Sequence, residues 1–383
     1  MDPSKLNQVR VHIITPHPAP YRDPLFRLLH ERGFDIEVAF YFNSDPGHHE
    51  WKWKPLVYPS WTSNRRLSIL TYNFPLHLDI LSWVIISKYD ALVVSGYDKP
   101  TSWLAILFAK LRLKKVVMAL DTVMNPEQVG ALRKAKDLFK NLLIGSCDLY
   151  WVPGRASIDY LSSLGIPEER IFCGLYCLDP PSQRQYSDSA ALRRRKLRSR
   201  LGIADDAIVF LFVGKLTQAR RVDLLLDSWS SIGGDVKRYL VVVGDGPCFE
   251  ILSKRKKNLK LVNVYFFGAV AYARLPEVYQ ASDIYVHPGT EPYSTALERA
   301  ALEGLAIVSN HNVGYVSDLL SRGAVPYLFH PGDVVDLTLK IELAISEWPL
   351  SEALRGSIRV AAHQRNPDWA VSQFSRMLSR VVR

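Results

Sequence analysis

Residues 286–310, VHPGTEPYSTALERAALEGLAIVSN, hold the groups best suited to chemistry. Glu291 offers a carboxylate within a Pro/Gly loop that follows an apolar strand expected at 284–287. Behind it, Ser294 and Thr295 are helix-capping residue types, and Thr295 to Glu298 has the capping-box spacing that lets Glu298 reach back to the cap. Gly304 closes that helix and residues 306–309 resume a strand. A carboxylate followed by helix N-terminal N–H groups suits a ligand that presents both hydroxyls and phosphate oxygens. Two further strand ends carry matching residues. Gly214-Lys215-Leu216-Thr217, then Arg220 and Arg221, follow a strand expected at 208–213, and Gly244-Asp245-Gly246-Pro247 follow one at 239–243. In a parallel sheet these ends lie side by side, so Lys215, Arg220 and the helix start can converge on one anion. A diphosphate there would meet two cations and a helix dipole without any metal. Taken singly, Lys215 and Arg220 read as surface charges; the glycine before Lys215 and the neighbouring loop favour phosphate.

The elements that must position these residues follow a βα rhythm. The first half reads as strands at 9–15, 35–41, 91–95, 116–120 and 149–152, with helices at 25–32, 100–111, 129–143 and 156–164. Alternation with short connections argues for a parallel sheet covered on both faces, its ligand edge at the C-terminal strand ends. The loops PHPAPYRDP, GYDKP and DTVMNP all fall on that edge. Residues 178–190, polar with two prolines, read as the hinge. The pattern then restarts: a helix at 192–201, strands at 208–213, 239–243 and 264–267, helices at 222–231 and 275–281, then the Glu291 stretch and a final helix near 369–382. The expected fold is α/β, two Rossmann-like doubly wound domains facing a central cleft, with domains at 1–180 (joined by a returning helix at 366–383) and 181–365. Residues 43–66 show no period. Trp51, Trp53, Tyr58 and Trp61 there either stack on sugars or lipid headgroups, or fold over the domain as a satellite core.

At 383 residues the chain exceeds one ordinary core, and 48% hydrophobic with 22% charged residues marks it as globular. The net charge of +10 suits phosphorylated substrates, anionic membrane or nucleic acid. The basic runs 193–200 and 254–260 read as solvated faces, and without a nucleic-acid-binding signature no nucleic-acid partner is expected. No apolar run reaches the roughly 18 residues of a membrane span, and MDPSKLNQVR lacks a signal-peptide core. Four cysteines make no disulfide scaffold, and Cys173 with Cys177 lacks a second pair for zinc. A cytoplasmic protein, without metal or cofactor, is the expectation.

With these residues in view, the second half resembles the retaining GT-B nucleotide-sugar glycosyltransferases, often called family four. The likeness lies in FVGKLTQARRVDLLL, VVVGDGP and VYFFGAVAYARLPEVYQASDIYVHPGTEPYSTALERAALEGLAIVS. More loosely, TPHPAPYRDPLFRLL, GYDKPTSWLAILFAKLRLKKVV and VPGRASIDYLSSLGIPEERIF extend it over the first half. The resemblance implies an N-terminal acceptor domain and a C-terminal donor domain. It puts Gly214, Lys215, Arg220 and Gly244 at the donor diphosphate and Glu291 on the sugar hydroxyls. Pro292, Tyr293, Ser294 and Thr295 form the turn whose N–H groups meet sugar and phosphate, and Ala269 and Val270 bracket the base. The family's Arg-then-Lys order is reversed here, and Ser294 replaces its usual Gly. Catalytic candidates are Glu291, Lys215, Arg220 and Asp121; acceptor-side candidates are His17, Tyr21 and Asp121. A plainer reading makes Asp121 a loop cap. His287 reads as a strand-end structural histidine.

One departure stands out. The family's second glutamate, eight positions after the first, holds the ribose; here position 299 is Arg and Glu298 is one residue early. A residue turns a helix by about 100°. A bulge that restores Glu298, an Arg299 that reaches phosphate, impaired donor binding, or a capping role for Glu298 all stay open. The implied reaction is metal-independent, retaining transfer of a hexose-type sugar from a nucleoside diphosphate to a sugar or lipid-linked acceptor, in polysaccharide or glycolipid assembly. The basic amphipathic helix 132–145, with Leu132, Leu138, Phe139 and Leu142, either rests on anionic lipid at the inner membrane face or packs on the sheet. Rival readings are a degenerate GT-B protein that binds without catalysis, and a GT-B epimerase or phosphorylase.

Overall fold

The computed structural model describes residues 6–44, 56–68, 75–122, 131–178, 188–200, 202–233, 237–324, 327–349 and 351–382. The chain divides into two compact units, Met1–Asp179 with Arg365–Arg383, and Pro180–Gln364. The first contains strands β1 (Val11–Thr15), β2 (Ile36–Phe40), β3 (Ser60–Thr62), β4 (Arg66–Ser68), β5 (Pro75–His77), β6 (Ala91–Ser95), β7 (Lys115–Ala119), β8 (Leu149–Trp151) and β9 (Ile171–Phe172). Its main sheet is parallel, in the order β3-β2-β1-β6-β7-β8-β9, while β4 and β5 form a separate antiparallel pair. Strands such as β1 are buried along their whole length because helices cover both faces of the sheet.

The second unit contains β10 (Ile208–Val213), β11 (Arg238–Val243), β12 (Val264–Phe266), β13 (Ile284–Val286), β14 (Ala306–Ser309) and β15 (Tyr327–Leu328). Its sheet is also parallel, in the order β12-β11-β10-β13-β14-β15. In both sheets the direction of winding reverses at one point, between β1 and β6 in the first and between β10 and β13 in the second. Loops leaving the C-terminal ends of such a pair diverge and leave a crevice.

Several expectations change. The tract 43–66 is not aperiodic throughout, since it includes β3 and the start of β4. Tyr58 is buried edge-on against Phe26 at 5.7 Å, and Trp61 meets Trp83 edge-on at 5.4 Å, so these two rings serve packing. Trp51 and Trp53 lie outside the described residues, as do residues 179–187 of the expected hinge, 123–126 of the DTVMNP loop and 129–130 of the helix expected after it. Helices Leu78–Ile86, Phe249–Asn258, Gly314–Leu320, Val334–Ser346 and Glu352–His363 join those read from periodicity. The last helix, Pro367–Val381, is capped by Asn366, whose Oδ1 accepts from Trp369 N at 2.8 Å. It docks on the first unit through Phe374 against Phe34 and Trp151, and through the Arg32–Asp368 ion pair at 2.5 Å.

The run 193–200 is not merely a solvated face. In the helix Asp188–Arg200, Arg194 and Arg198 grip the two oxygens of Asp283, at 2.5 and 2.6 Å. Asp283 is buried at the foot of β13 and also accepts from Val209 N at 2.8 Å. Arg198, only 1% exposed, donates as well to the carbonyls of Ala281, Asp205 and Ala207. A buried charge is tolerated when its partners saturate it in this way. Run 254–260, by contrast, ends an exposed helix and does read as a solvated face.

Removing the carboxylate would strand two arginines, one of them fully enclosed. Asp283→Ala is expected to lower the unfolding free energy by about 3–5 kcal/mol. Urea denaturation checks this, and a loss below about 1 kcal/mol would contradict the lock.

Candidate active site

The switch point of the second unit brings four strand-end loops into contact, those after β10, β11, β12 and β13. Gly214 N donates to Val243 O at 3.0 Å and Leu216 N to Asp245 O at 2.9 Å, joining the loop after β10 to that after β11. Gly244 N donates to Gly268 O at 2.8 Å, which brings in the segment with Ala269 and Val270. On the other side, Thr290 N donates to Ala219 O at 3.0 Å. The approach is so close that a Cβ at Gly244 would lie 1.9 Å from Gly214 O, and one at Gly289 2.1 Å from Ala219 O. These glycines are required by loop-to-loop packing.

Side chains then gather on this frame. Arg220 donates through Nη1 to Thr290 O at 2.9 Å, and its Nη2 pairs with Glu291 Oε1. The other oxygen of Glu291 lies 3.6 Å from Nε2 of the buried His287. Burial first, and the nearby Arg220 second, push the His287 imidazole down to about 3, so it is neutral. Lys215 is half-buried on the adjacent loop, and among the described residues no carboxylate pairs with it. Ser294 caps the helix Thr295–Leu302, accepting from Leu297 N at 3.2 Å. Tyr293 turns inward, edge-on to Tyr315 at 5.3 Å, while Pro292 is exposed.

The capping-box expectation fails by one position. Ser294, not Thr295, is the cap, so Leu297 occupies the third helical position and Glu298 the fourth, too far along to reach back. The helix is α-helical from Thr295 to Leu302, with no bulge to re-register Glu298, which is buried. Arg299 pairs with Glu303 at 3.2 Å, one turn along the same helix. Its guanidinium charge is thus shared with a carboxylate one turn on, as that of Arg220 is with Glu291.

In the first unit, the acceptor-side candidates collect on the C-terminal edge of β1, β7 and β9. Tyr176 donates its hydroxyl to Asp121 Oδ2 at 2.8 Å and packs edge-on against Tyr21 at 4.7 Å. Arg22, buried, holds the first loop by donating to Thr15 Oγ1 at 2.6 Å and to His17 O at 3.3 Å. His17 is buried, with Nδ1 2.8 Å from Pro18 O. Burial and the Asp121 carboxylate raise the Tyr176 phenol well above its usual range. Asp121 thus has a side-chain partner at the strand end. Among the described residues no group of three His, Cys, Asp or Glu side chains could hold a metal ion.

Residues 193–359 match the family described as glycosyl transferases group 1. The second unit is a group 1 glycosyltransferase domain. Among curated relatives, the GDP-mannose-dependent alpha-mannosyltransferase of Corynebacterium glutamicum is 28% identical over 217 residues, 56% of this chain and 48% of the relative. The alpha-monoglucosyldiacylglycerol synthase of Streptococcus pneumoniae is 29% identical over 170 residues, 42% of this chain and 38% of the relative. The chain thus spans about half the length, or less, of these relatives. The crystal structure of Anabaena Alr3699/HepE in complex with UDP superposes with a TM-score of 0.75 at 17% identity, covering 97% of this chain and 100% of that one. The fold is therefore GT-B, two Rossmann-like domains.

Sequence reasoning missed two residues that organise these sites. Asn310, fully buried in the group 1 domain, donates through Nδ2 to Pro288 O at 3.3 Å and Gly289 O at 3.0 Å. Its place directly after an apolar strand was the available signal. Tyr176 follows β9 with no local pattern to mark it. Because Gly289 and Ala219 touch, Gly289→Ala must part the loops that carry Glu291 and Arg220. A loss of about 1–3 kcal/mol in urea unfolding is expected; unchanged stability would show the loops to be more yielding than the contact implies.

Proposed function

We propose that this protein moves a hexose-type sugar from a nucleoside diphosphate sugar to an acceptor hydroxyl, with retention of anomeric configuration and without a metal. The carrying observation is the Arg220–Glu291 pair beside a capped helix N-terminus at the switch point of a group 1 domain, with Lys215 on the same loop as Arg220. Breaking the sugar–phosphate bond leaves negative charge on the diphosphate. Lys215, Arg220 and the N–H groups at Ser294–Thr295 stabilise it. Glu291 holds sugar hydroxyls, with the backbone of Pro292 and Tyr293 beside it. Gly214 and Gly244 keep the backbone close to the phosphates, and Ala269 and Val270 flank the base. The leaving phosphate oxygen takes the acceptor proton on the same face, so no protein nucleophile is needed.

UDP in the Anabaena structure and the GDP-mannose dependence of the Corynebacterium relative support a nucleotide-sugar donor without choosing its base. Acceptor contacts fall to the first unit, to His17, Tyr21 and the Asp121 held by Tyr176. A lipid-linked acceptor and contact with anionic membrane draw support from the helix Ala131–Ser146. Leu138 and Leu142 are 63% and 64% exposed there, while Phe139 packs edge-on against Trp103 at 4.9 Å, so the two leucines are not used up on the sheet. No helix among the described residues is long and apolar enough to cross a membrane. The reading of a binder without catalysis has one observation of its own: Arg299 stands where the family has glutamate, and it is tied to Glu303.

A thermal-shift panel of UDP, GDP, ADP and their sugars tests the donor assignment. One nucleotide series should raise the melting temperature by several degrees, about 2–4 °C for each kcal/mol of binding. No response from any of them would overturn it. With the donor so chosen, Glu291→Ala should cut transfer at least about 100-fold while the protein stays folded. Undiminished turnover would remove Glu291 from the mechanism, and tight binding without transfer in the unaltered protein would favour the non-catalytic reading.

A further inference from the structure

We propose that His287 is a positioning residue for Glu291, its neutral imidazole holding the carboxylate from the floor of the crevice through Nε2–H. This rests on the reading of Glu291 as the group that meets the donor sugar.

The tautomer follows from what surrounds the ring. His287 sits directly after β13 with 1% of its surface exposed, and its backbone is pinned by donation from His287 N to Val308 O at 2.9 Å. Nδ1 lies 3.3 Å from the hydroxyl of Tyr285, which is also 3.3 Å from Val213 O. Nε2 faces Glu291 Oε2 at 3.6 Å, just beyond hydrogen-bond distance. A carboxylate only accepts, and a tyrosine hydroxyl has a single proton to give. If Tyr285 gives that proton to Val213, Nδ1 must carry the ring proton. Nε2 would then oppose the carboxylate lone pair to lone pair. If Tyr285 donates to Nδ1, the ring proton sits on Nε2 and points at Glu291. A doubly protonated ring is disfavoured by burial and by Arg220 nearby. The Nε2–H tautomer is the one that avoids a lone-pair clash with Glu291, with Tyr285 turning its proton from Val213 O to Nδ1.

This gives Glu291 two holders of different kinds. Arg220 reaches it from a loop, and the same guanidinium is wanted by an arriving diphosphate. His287 comes from the rigid end of a strand and carries no charge to be drawn away. When phosphate attracts Arg220, His287 keeps the carboxylate aimed at the sugar hydroxyls. Tyr285 extends the support to the end of β10, just before Gly214 and Lys215.

The test compares His287→Leu with His287→Gln, whose amide places an N–H near the position of Nε2. With the nucleoside diphosphate sugar selected by thermal shift, His287→Leu should lose about 10–100-fold in kcat/KM, as expected for a hydrogen bond to a charged group. Binding of the free nucleoside diphosphate should stay within about twofold, and His287→Gln should recover most of the activity. Undiminished turnover in His287→Leu, or an equal loss of nucleotide and nucleotide-sugar binding, would overturn the positioning role. A second measurement needs no donor. In full-length protein labelled with nitrogen-15 at histidine, His287 should appear as the neutral Nε2–H tautomer, and Glu291→Leu should shift its ring resonances. An Nδ1–H tautomer, or resonances indifferent to Glu291→Leu, would overturn the geometry. If the unaltered protein transfers no sugar from any donor, the glycosyltransferase reading fails, while the resonances still decide the role of His287.

Discussion

Gly289 and Ala219 lie against each other so tightly that not even a methyl group fits between them. Much of the second unit depends on that contact. It sets the loop after β13 directly on the loop after β10, and so brings Glu291 and Arg220, 71 residues apart in sequence, into one ion pair. Strand order alone would let the loops diverge, so the contact is what closes them on one another. β10 and β13 are neighbours from which the sheet winds in opposite directions, so their following loops meet only across this crevice. Asn310 then ties the loop from the next strand by holding two of its carbonyls.

The electrostatics are arranged in layers. At the foot of β13, Asp283 is saturated by Arg194 and Arg198, which anchors the strand that carries the loop. At its head, the neutral His287 lies beneath a carboxylate already shared with Arg220. Lys215 stands to one side without a carboxylate among the described residues, and the capped helix offers its N-terminal N–H groups nearby. On the proposed reading such a crevice would attract an anion while keeping one carboxylate for hydroxyls, a combination suited to a sugar joined to phosphate. Negative charge released there would be met by groups held in place before reaction, the arrangement that lowers a barrier most.

Much of this was legible in the residues. Buried parallel strands write themselves as short apolar runs, so VHIIT, ALVVS, IVFLFV and YLVVV marked the sheets, and glycines after the last three marked the tight loops. The grouping of Gly214, Lys215, Arg220, Gly244 and Glu291 followed from strand-end logic. What escaped depends on pairings that no local pattern records. Arg194 and Arg198 looked like surface charge because their partner is Asp283, far along the chain. Tyr58 and Trp61 sat in a tract without period because their packing partners lie in distant helices. Assigning the cap to Thr295 failed by one residue, since Ser and Thr in sequence are equally good caps and only the backbone decides between them. That shift also removed Glu298 from its capping role and left Arg299 paired with Glu303.

At the centre stands the proposal that the crevice between these strand-end loops of the second unit holds a nucleoside diphosphate sugar. Hydrogen–deuterium exchange of the full chain, with and without UDP-glucose and GDP-mannose in turn, tests it directly. One of the two sugars should slow exchange at 214–221, 244–247, 268–270 and 289–298, leaving the foot of β13 and the helix Asp188–Arg200 unchanged. Protection confined to other segments, under conditions where either sugar binds, would contradict the account.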